Sequence, residues 1–173
     1  MSYRLSCCLV GLLGWLVFLA GTLPAVAQAP ANSQAVLEKA VRLLDRAEQE
    51  VAEAPEGALA TVKEARQLFK LLQTDLAVRL SQAELTPAQS EQEAANHRIA
   101  EDLFNIGERL DKSAQEKLAR SQELAAQGDR QASRNLEQEA RNERLLALQH
   151  FVRSEIYSLR NQQLIFQNLL AAK

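Results

Sequence analysis

Cysteine, methionine and tryptophan occur in this 173-residue chain only within its first 15 residues. The two cysteines, Cys7 and Cys8, are neighbours, so the remainder of the chain has no thiol, and its core must stabilise the domain without disulfides. Haem attachment through C-x-x-C-H and soft copper ligation by cysteine or methionine are therefore excluded for that remainder.

An excess of one charge is also lacking, since 20 basic residues stand against 22 acidic ones and leave a net charge of −2. This balance provides neither the basic field that nucleic acids require nor a polybasic strip for anionic lipids. The sequence contains no G-x-S-x-G elbow, no phosphate-cradling glycine loop and no H-E-x-x-H helix. We therefore expect a non-catalytic protein that binds neither nucleic acid nor a cofactor.

Only two histidines are present, His97 and His150. A di-iron site in a helical bundle needs Glu-x-x-His on facing helices, but Glu93 lies four residues before His97. His150 has no acidic residue among the six that precede it. The spacing favours surface histidines over a metal site.

The N-terminal segment has the three parts of a secretory signal peptide. Arg4 provides a positive start, residues 9–20 form an unbroken apolar run, and residues 25–27, Ala-Val-Ala, suit a cleavage site. The run is shorter than the ~20 apolar residues that span a bilayer, which argues against a retained anchor. We expect residues 1–27 to be a cleaved signal peptide and residues 28–173 to be one periplasmic domain without stable membrane insertion.

The pattern of the exported part predicts helix throughout, because Ala, Leu, Gln, Glu and Arg dominate and no strand-type alternation occurs. Pro55, Pro87 and Gly128 coincide with interruptions of the apolar periodicity. Apolar residues spaced three and four apart predict four helices, at about residues 32–54, 56–81, 87–127 and 129–171.

The lengths of these helices predict their arrangement. The third and fourth would each be about 60 Å long at ~1.5 Å per residue, and the first two little more than half of that. Large apolar residues are sparse in residues 111–144. We expect an all-α, antiparallel four-helix bundle of two helical hairpins, the second longer and projecting as a charged coiled-coil arm. In an alternative arrangement, the first two helices slide along the hairpin and cover all of it.

The stretch LTPAQ, residues 85–89, begins the third helix. Thr86 followed three residues later by Gln89 is a capping box, in which each side chain binds a backbone N–H of the other residue. Pro87 then stands at the first helical position, where its fixed φ suits a helix and its missing N–H costs nothing. Leu85, Thr86 and Gln89 are accordingly interpreted as a helix start.

The same three residues match the LTxxQ signature, and through it the chain resembles the Spy- and CpxP-type periplasmic chaperones and their zinc-responsive relatives. Those proteins are small, exported, cysteine-poor and all-helical, and the resemblance implies a dimeric cradle that holds unfolded clients. The match covers five positions, residues 85–89, and the second copy of the motif that the group usually carries is absent from this sequence.

The last predicted helix contains a candidate partner surface. At ~100° per residue, Leu146, Tyr157 and Leu164 fall together on a second apolar stripe, away from the main apolar arc. A helix with two bundle neighbours also has a widened apolar face, so this stripe is either core or interface. As an interface it predicts a protein partner or self-association, with a homodimer formed along this helix.

Two classes of function remain open. The first is an exported protein-interaction module that acts as an adaptor or a chaperone. The second is a sensor for a small ligand or a metal, with its site in the bundle core. The sequence favours the first, since it shows no convergent set of ligands.

Export can be tested directly. The mature protein should begin at Gln28 and fractionate with soluble envelope proteins, because signal peptidase removes the apolar segment. Intact mass spectrometry of the envelope fraction measures this N-terminus. Recovery of the whole chain, Met1 to Lys173, from the membrane pellet would contradict the interpretation.

Overall fold

The computed structural model describes residues 29–81 and 84–171, and the predicted signal peptide lies outside them. Every regular element in these ranges is a helix, so the all-α class is confirmed. The helices are α1 (Ala29–Glu50), α2 (Pro55–Asp75), α3 (Ala77–Leu80), α4 (Pro87–Ala126) and α5 (Arg130–Ala171). None of these five helices combines the length and the apolar character of a membrane span.

Local chemistry explains where several helices end and begin. Gly128 ends α4, because its φ of 88° lies in the left-handed region that glycine adopts without steric cost. Asp129 then begins α5, since its carboxylate accepts a hydrogen bond of 3.1 Å from the Ala132 amide. The helix predicted at 56–81 is interrupted at Leu76, whose ψ of 15° leaves the helical range, and so divides into α2 and α3.

The large apolar side chains form one core among α1, α2 and the C-terminal half of α5. Phe69 stacks on Phe166 with ring centroids 6.0 Å apart, and Leu44 is fully buried. The other buried members are Leu37, Ala40, Ala47, Val51, Ala58, Val62, Ala65, Leu72, Leu76, Val152, Ile156, Leu159 and Leu169. Within the described residues α4 adds no member to this core, and its backbone lies close to that of α5 alone. The predicted four-helix bundle is therefore not confirmed, because α4 lies outside the core that α1, α2 and the C-terminal half of α5 form. We call these three elements the base.

Hydrogen bonds and ion pairs fix the position of α1 and α2 along α5. The Gln149 side chain donates a hydrogen bond of 2.8 Å to the Ala52 carbonyl, in the turn between α1 and α2. Farther along α5, Arg160 pairs with Glu48 of α1 at 2.9 Å. Because α1 and α2 turn back at the level of Gln149, residues 111–144 of the hairpin extend past them. We call this part the arm.

The interface between α4 and α5 consists of small residues at every seventh position. The buried members are Ala100, Gly107, Ala114 and Ser121 on α4, and Ser133, Ala140, Ala147 and Ser154 on α5. Seven residues make two helical turns, so each row faces the same direction along the whole hairpin. Small side chains let two backbones approach closely, as they do in other tightly packed helix pairs. We call these two facing rows the seam.

Two serine hydroxyls fix the register of the seam. Near the tip of the hairpin the Ser121 hydroxyl donates to the Ser133 carbonyl at 3.1 Å, and far from the tip the Ser154 hydroxyl donates to the Ala100 carbonyl at 2.7 Å. Each step of seven along α4 is matched by a step of seven back along α5, so both bonds belong to one alignment. A slipped register would leave buried hydroxyls without partners, which costs about 1–3 kcal/mol for each group.

Enlarging a seam residue should destabilise the hairpin. Replacing the fully buried Ala114 by leucine should lower the free energy of unfolding by about 1–3 kcal/mol, because the added carbons have no space between the helices. The same substitution at the exposed Ala119 should change it by less than ~0.5 kcal/mol, since alanine and leucine are both strong helix formers. Urea denaturation followed by circular dichroism measures both variants. Equal effects would show that the seam tolerates large side chains.

Candidate interaction surface

The three residues of the predicted stripe occupy different environments on α5. Leu146 is 45% exposed and lies next to the arm. Tyr157 is half-buried in a groove of about 350 Å³, which Ile99 of α4 and Glu48 of α1 also line. Leu164 is half-buried as well. Of the three, Leu146 alone offers an exposed apolar surface.

Thr86 and Gln89 act on the backbone at the start of α4. The Gln89 amide donates to the Thr86 hydroxyl at 3.3 Å, and the Thr86 amide donates to the Gln89 side-chain oxygen at 2.9 Å, which completes a capping box. Pro87 occupies the first helical position, and Leu85 before the cap is half-buried. Thr86, Pro87 and Gln89 thus each have a structural role in starting α4.

An aromatic pair with one exposed ring lies where the arm meets the base. The rings of Phe104 on α4 and Phe151 on α5 have centroids 5.5 Å apart and planes inclined at 56°, and Phe104 is 46% exposed. They line a hollow of about 620 Å³ together with Glu108, Asp111, Lys112 and Gln115. This aromatic hollow combines two ring surfaces with two carboxylates in one concavity.

Gly107 allows the Phe151 ring to lie against α4. A Cβ atom at this position would be 2.7 Å from Cε1 of Phe151, closer than carbon atoms approach in ordinary contacts. Glycine inside a helix costs about 1 kcal/mol relative to alanine, so its presence there calls for a packing reason. The ring supplies that reason, and Gly107 therefore positions one wall of the aromatic hollow.

Ion pairs occupy one side of the seam in the arm. The Lys117 ammonium lies 2.8 Å from Glu139 and 2.9 Å from Glu143. Hydrogen bonds to Glu139 and Glu143 raise the pKa of Lys117, and the bond from Lys117 lowers the pKa of Glu143. Lys117 and Glu143 each follow a seam residue by three positions, so these residues define one side of the hairpin. We call it the paired side.

Residues that follow a seam residue by four positions lie on the opposite side. Phe104 and Asp111 belong to this row on α4, and Glu137 and Phe151 to the matching row on α5. The contact between the two rings shows that the rows meet across the seam, and farther along the Glu137 carboxylate lies 3.4 Å from the Ser121 hydroxyl. We call this the open side, and the aromatic hollow lies on it.

The two histidines are separate from the hollow. His97 is exposed on α4, and His150 is half-buried on the paired side of α5. Burial lowers the pKa of His150, and the nearby positive charge of Arg153 lowers it further. Within residues 29–81 and 84–171, no group of three or more histidine, cysteine, aspartate or glutamate side chains is arranged to hold a metal ion.

The aromatic hollow is the feature that sequence reasoning missed. Phe104 and Phe151 are distant along the chain, and only the register of the seam brings them together. The signal that could have found them is Gly107, a glycine inside a long helix, together with the seven-residue spacing of small residues around it. No family model, curated protein or solved structure matches this chain.

The contact between Gly107 and Phe151 predicts a reversal of sign in a double-mutant cycle. Gly107→Ala should lower the free energy of unfolding by about 1–2 kcal/mol, because the new methyl group collides with the ring. In a Phe151→Ala background, the same change should raise it by up to ~1 kcal/mol, since only the gain in helix propensity remains. Urea denaturation of the four proteins measures both effects.

The matched control is Gly57→Ala in α2, where the nearest atom to the added carbon is 3.9 Å away. This substitution should be stabilising with or without the Phe151 ring, because helix propensity is the only effect at that position. An effect of Gly107→Ala that is the same in both backgrounds would exclude the ring as the reason for the glycine.

Proposed function

We propose that this chain is an exported, non-catalytic interaction module that binds a protein partner through the open side of its α4–α5 hairpin. In this proposal the base holds the hairpin, and the hairpin presents a coiled-coil arm to the partner. Export rests on the sequence of residues 1–27 and the interaction on the aromatic hollow.

The observation that carries the proposal is the aromatic pair with its exposed Phe104 ring. Phe104 and Phe151 lie outside the apolar core, and Phe104 leaves nearly half of its surface to solvent. Aromatic residues are enriched in protein interfaces and depleted from ordinary surfaces, because exposing a ring to water is unfavourable. Glu108 and Lys112 at the edge of the same hollow supply polar groups that orient a partner.

The shape of the hollow favours a macromolecular partner over a small ligand. Sites for small molecules usually enclose most of the ligand surface. The aromatic hollow instead lies on the outer surface of one hairpin, and the exposed ring of Phe104 forms part of its wall. Such an open site suits the side chain of a protein partner, because contacts elsewhere on that partner hold the side chain in place. A free small molecule would have to be held by the hollow alone.

Photocrosslinking in the native cell envelope tests this proposal. A photoreactive phenylalanine analogue at position 104 should form crosslinks to protein, because the partner covers that ring. The same analogue at Leu71, which is 55% exposed on α2, is the control and should form none. Crosslinked products are separated by electrophoresis and identified by mass spectrometry. The proposal fails if position 104 forms no protein crosslinks or only those that position 71 also forms.

A further inference from the structure

The open side carries four exposed arginines without an ion pair between the hollow and the tip of the hairpin. All four are exposed, and none of their guanidinium groups takes part in a hydrogen bond or an ion pair within the described chain: Arg130, Arg134, Arg141 and Arg144. They extend over ~21 Å of helix. Glu137 stands among them on the open side and forms no ion pair with any of the four within the described residues, and Glu139 and Glu143 bind Lys117 on the paired side.

The aromatic hollow has the chemistry that recognises a guanidinium group. Its walls are the rings of Phe104 and Phe151 and the carboxylates of Glu108 and Asp111, with Lys112 as the cationic group of this lining. The two rings also line a smaller pocket with Lys63 and Arg66 of α2, where Glu155 pairs with Arg66. A guanidinium stacks on aromatic faces and binds carboxylates through its planar fork of N–H donors. Such charge-assisted hydrogen bonds are about twice as strong as neutral ones. An arginine of a partner is therefore a suitable occupant.

We propose that the occupant is a tip arginine, Arg134 with Arg130 beside it, from a second copy of this chain. The hollow and the tip arginines lie on the same side of the same hairpin. Two hairpins that face each other antiparallel, around a two-fold axis between these features, place each tip in the partner hollow. In such an isologous contact the interaction forms twice. This dimer rests on the proposed function and specifies its partner.

The register of the hairpin gives the distance between the tip arginine and the hollow, and this distance sets the position of the two-fold axis. Ser121 of α4 lies beside Ser133 of α5, so Arg134 lies about 12 residues, or ~18 Å, from the level of Glu108. The two-fold axis then falls within the arm, past the turn between α1 and α2. The three-helix bases stay clear of each other, and the basic tip of each arm meets the acidic groups at the root of the other.

A charge exchange between the two sites tests the dimer. The variant Arg130→Glu/Arg134→Glu and the variant Glu108→Arg/Asp111→Arg should each weaken self-association by about 10–100-fold, because like charges then meet in both contacts. An equimolar mixture of the two variants should dimerise again, since each tip meets a hollow of opposite charge. Sedimentation equilibrium of the exported protein at low salt measures all three samples.

Two controls separate association from folding and from general charge effects. Arg42→Glu/Arg46→Glu makes the same change of charge on α1 and should leave the dimer intact, because both residues lie on the base. Circular dichroism melting should remain cooperative in every variant. A variant that loses this transition is replaced by the matching glutamine variant, which should weaken the dimer in the same direction.

The outcomes distinguish the dimer from the broader function. A wild-type protein that is monomeric at every concentration, or a mixture of charge variants that stays monomeric, overturns the dimer. If position 104 then still crosslinks to a different protein, the proposed function survives with another partner. Self-crosslinks at position 104 together with recovery of the dimer in the mixture support the arrangement of tip in hollow.

Discussion

The close approach of α4 and α5 along the seam is the constraint on which the rest of the structure depends. Helices that meet through large side chains stand about 8–10 Å apart, and their core lies between them. Here alanine, glycine and serine fill that position, so larger side chains lie to either side of the contact. The Phe151 ring can reach the α4 backbone for this reason, because Gly107 leaves the space free. The aromatic hollow is a consequence of the seam.

Buried polar groups then select one alignment of α4 against α5 from those that the rows of small residues would allow. Alanine and glycine alone would pack almost equally well after a shift of seven residues. Asn96 is buried and donates to the Asn161 side chain at 2.9 Å, and Ser121 and Ser133 lie within 3.0 Å of each other at the opposite end. Because a buried polar group without a partner is costly, these pairs specify one register. That register decides which charges meet, and it places Lys117 among carboxylates on one side only.

The division of the hairpin into two sides connects the fold to its proposed role. The carboxylates of Glu139 and Glu143 on the paired side bind Lys117 within the molecule, whereas the open side keeps the exposed Phe104 ring at its root and arginines without ion pairs toward its tip. The exposed ring and the arginines of the open side make few contacts within the folded chain, so they remain available to bind a partner. The base contributes by burying the large apolar residues of α1, α2 and α5 among themselves, which leaves α4 with its outer faces open.

The sequence by itself determined that the chain is helical and where α4 begins and ends. Capping by Thr86 and Asp129 and the left-handed Gly128 depend on residues a few positions apart, as does the periodicity that builds α1, α2 and α5. Only the tertiary structure decided that α4 lies outside the core and that Phe104 meets Phe151. The choice of neighbour depends on which helix faces can approach most closely. The periodicity of large apolar residues does not reveal the small residues that form the seam, although their seven-residue spacing is present in the sequence.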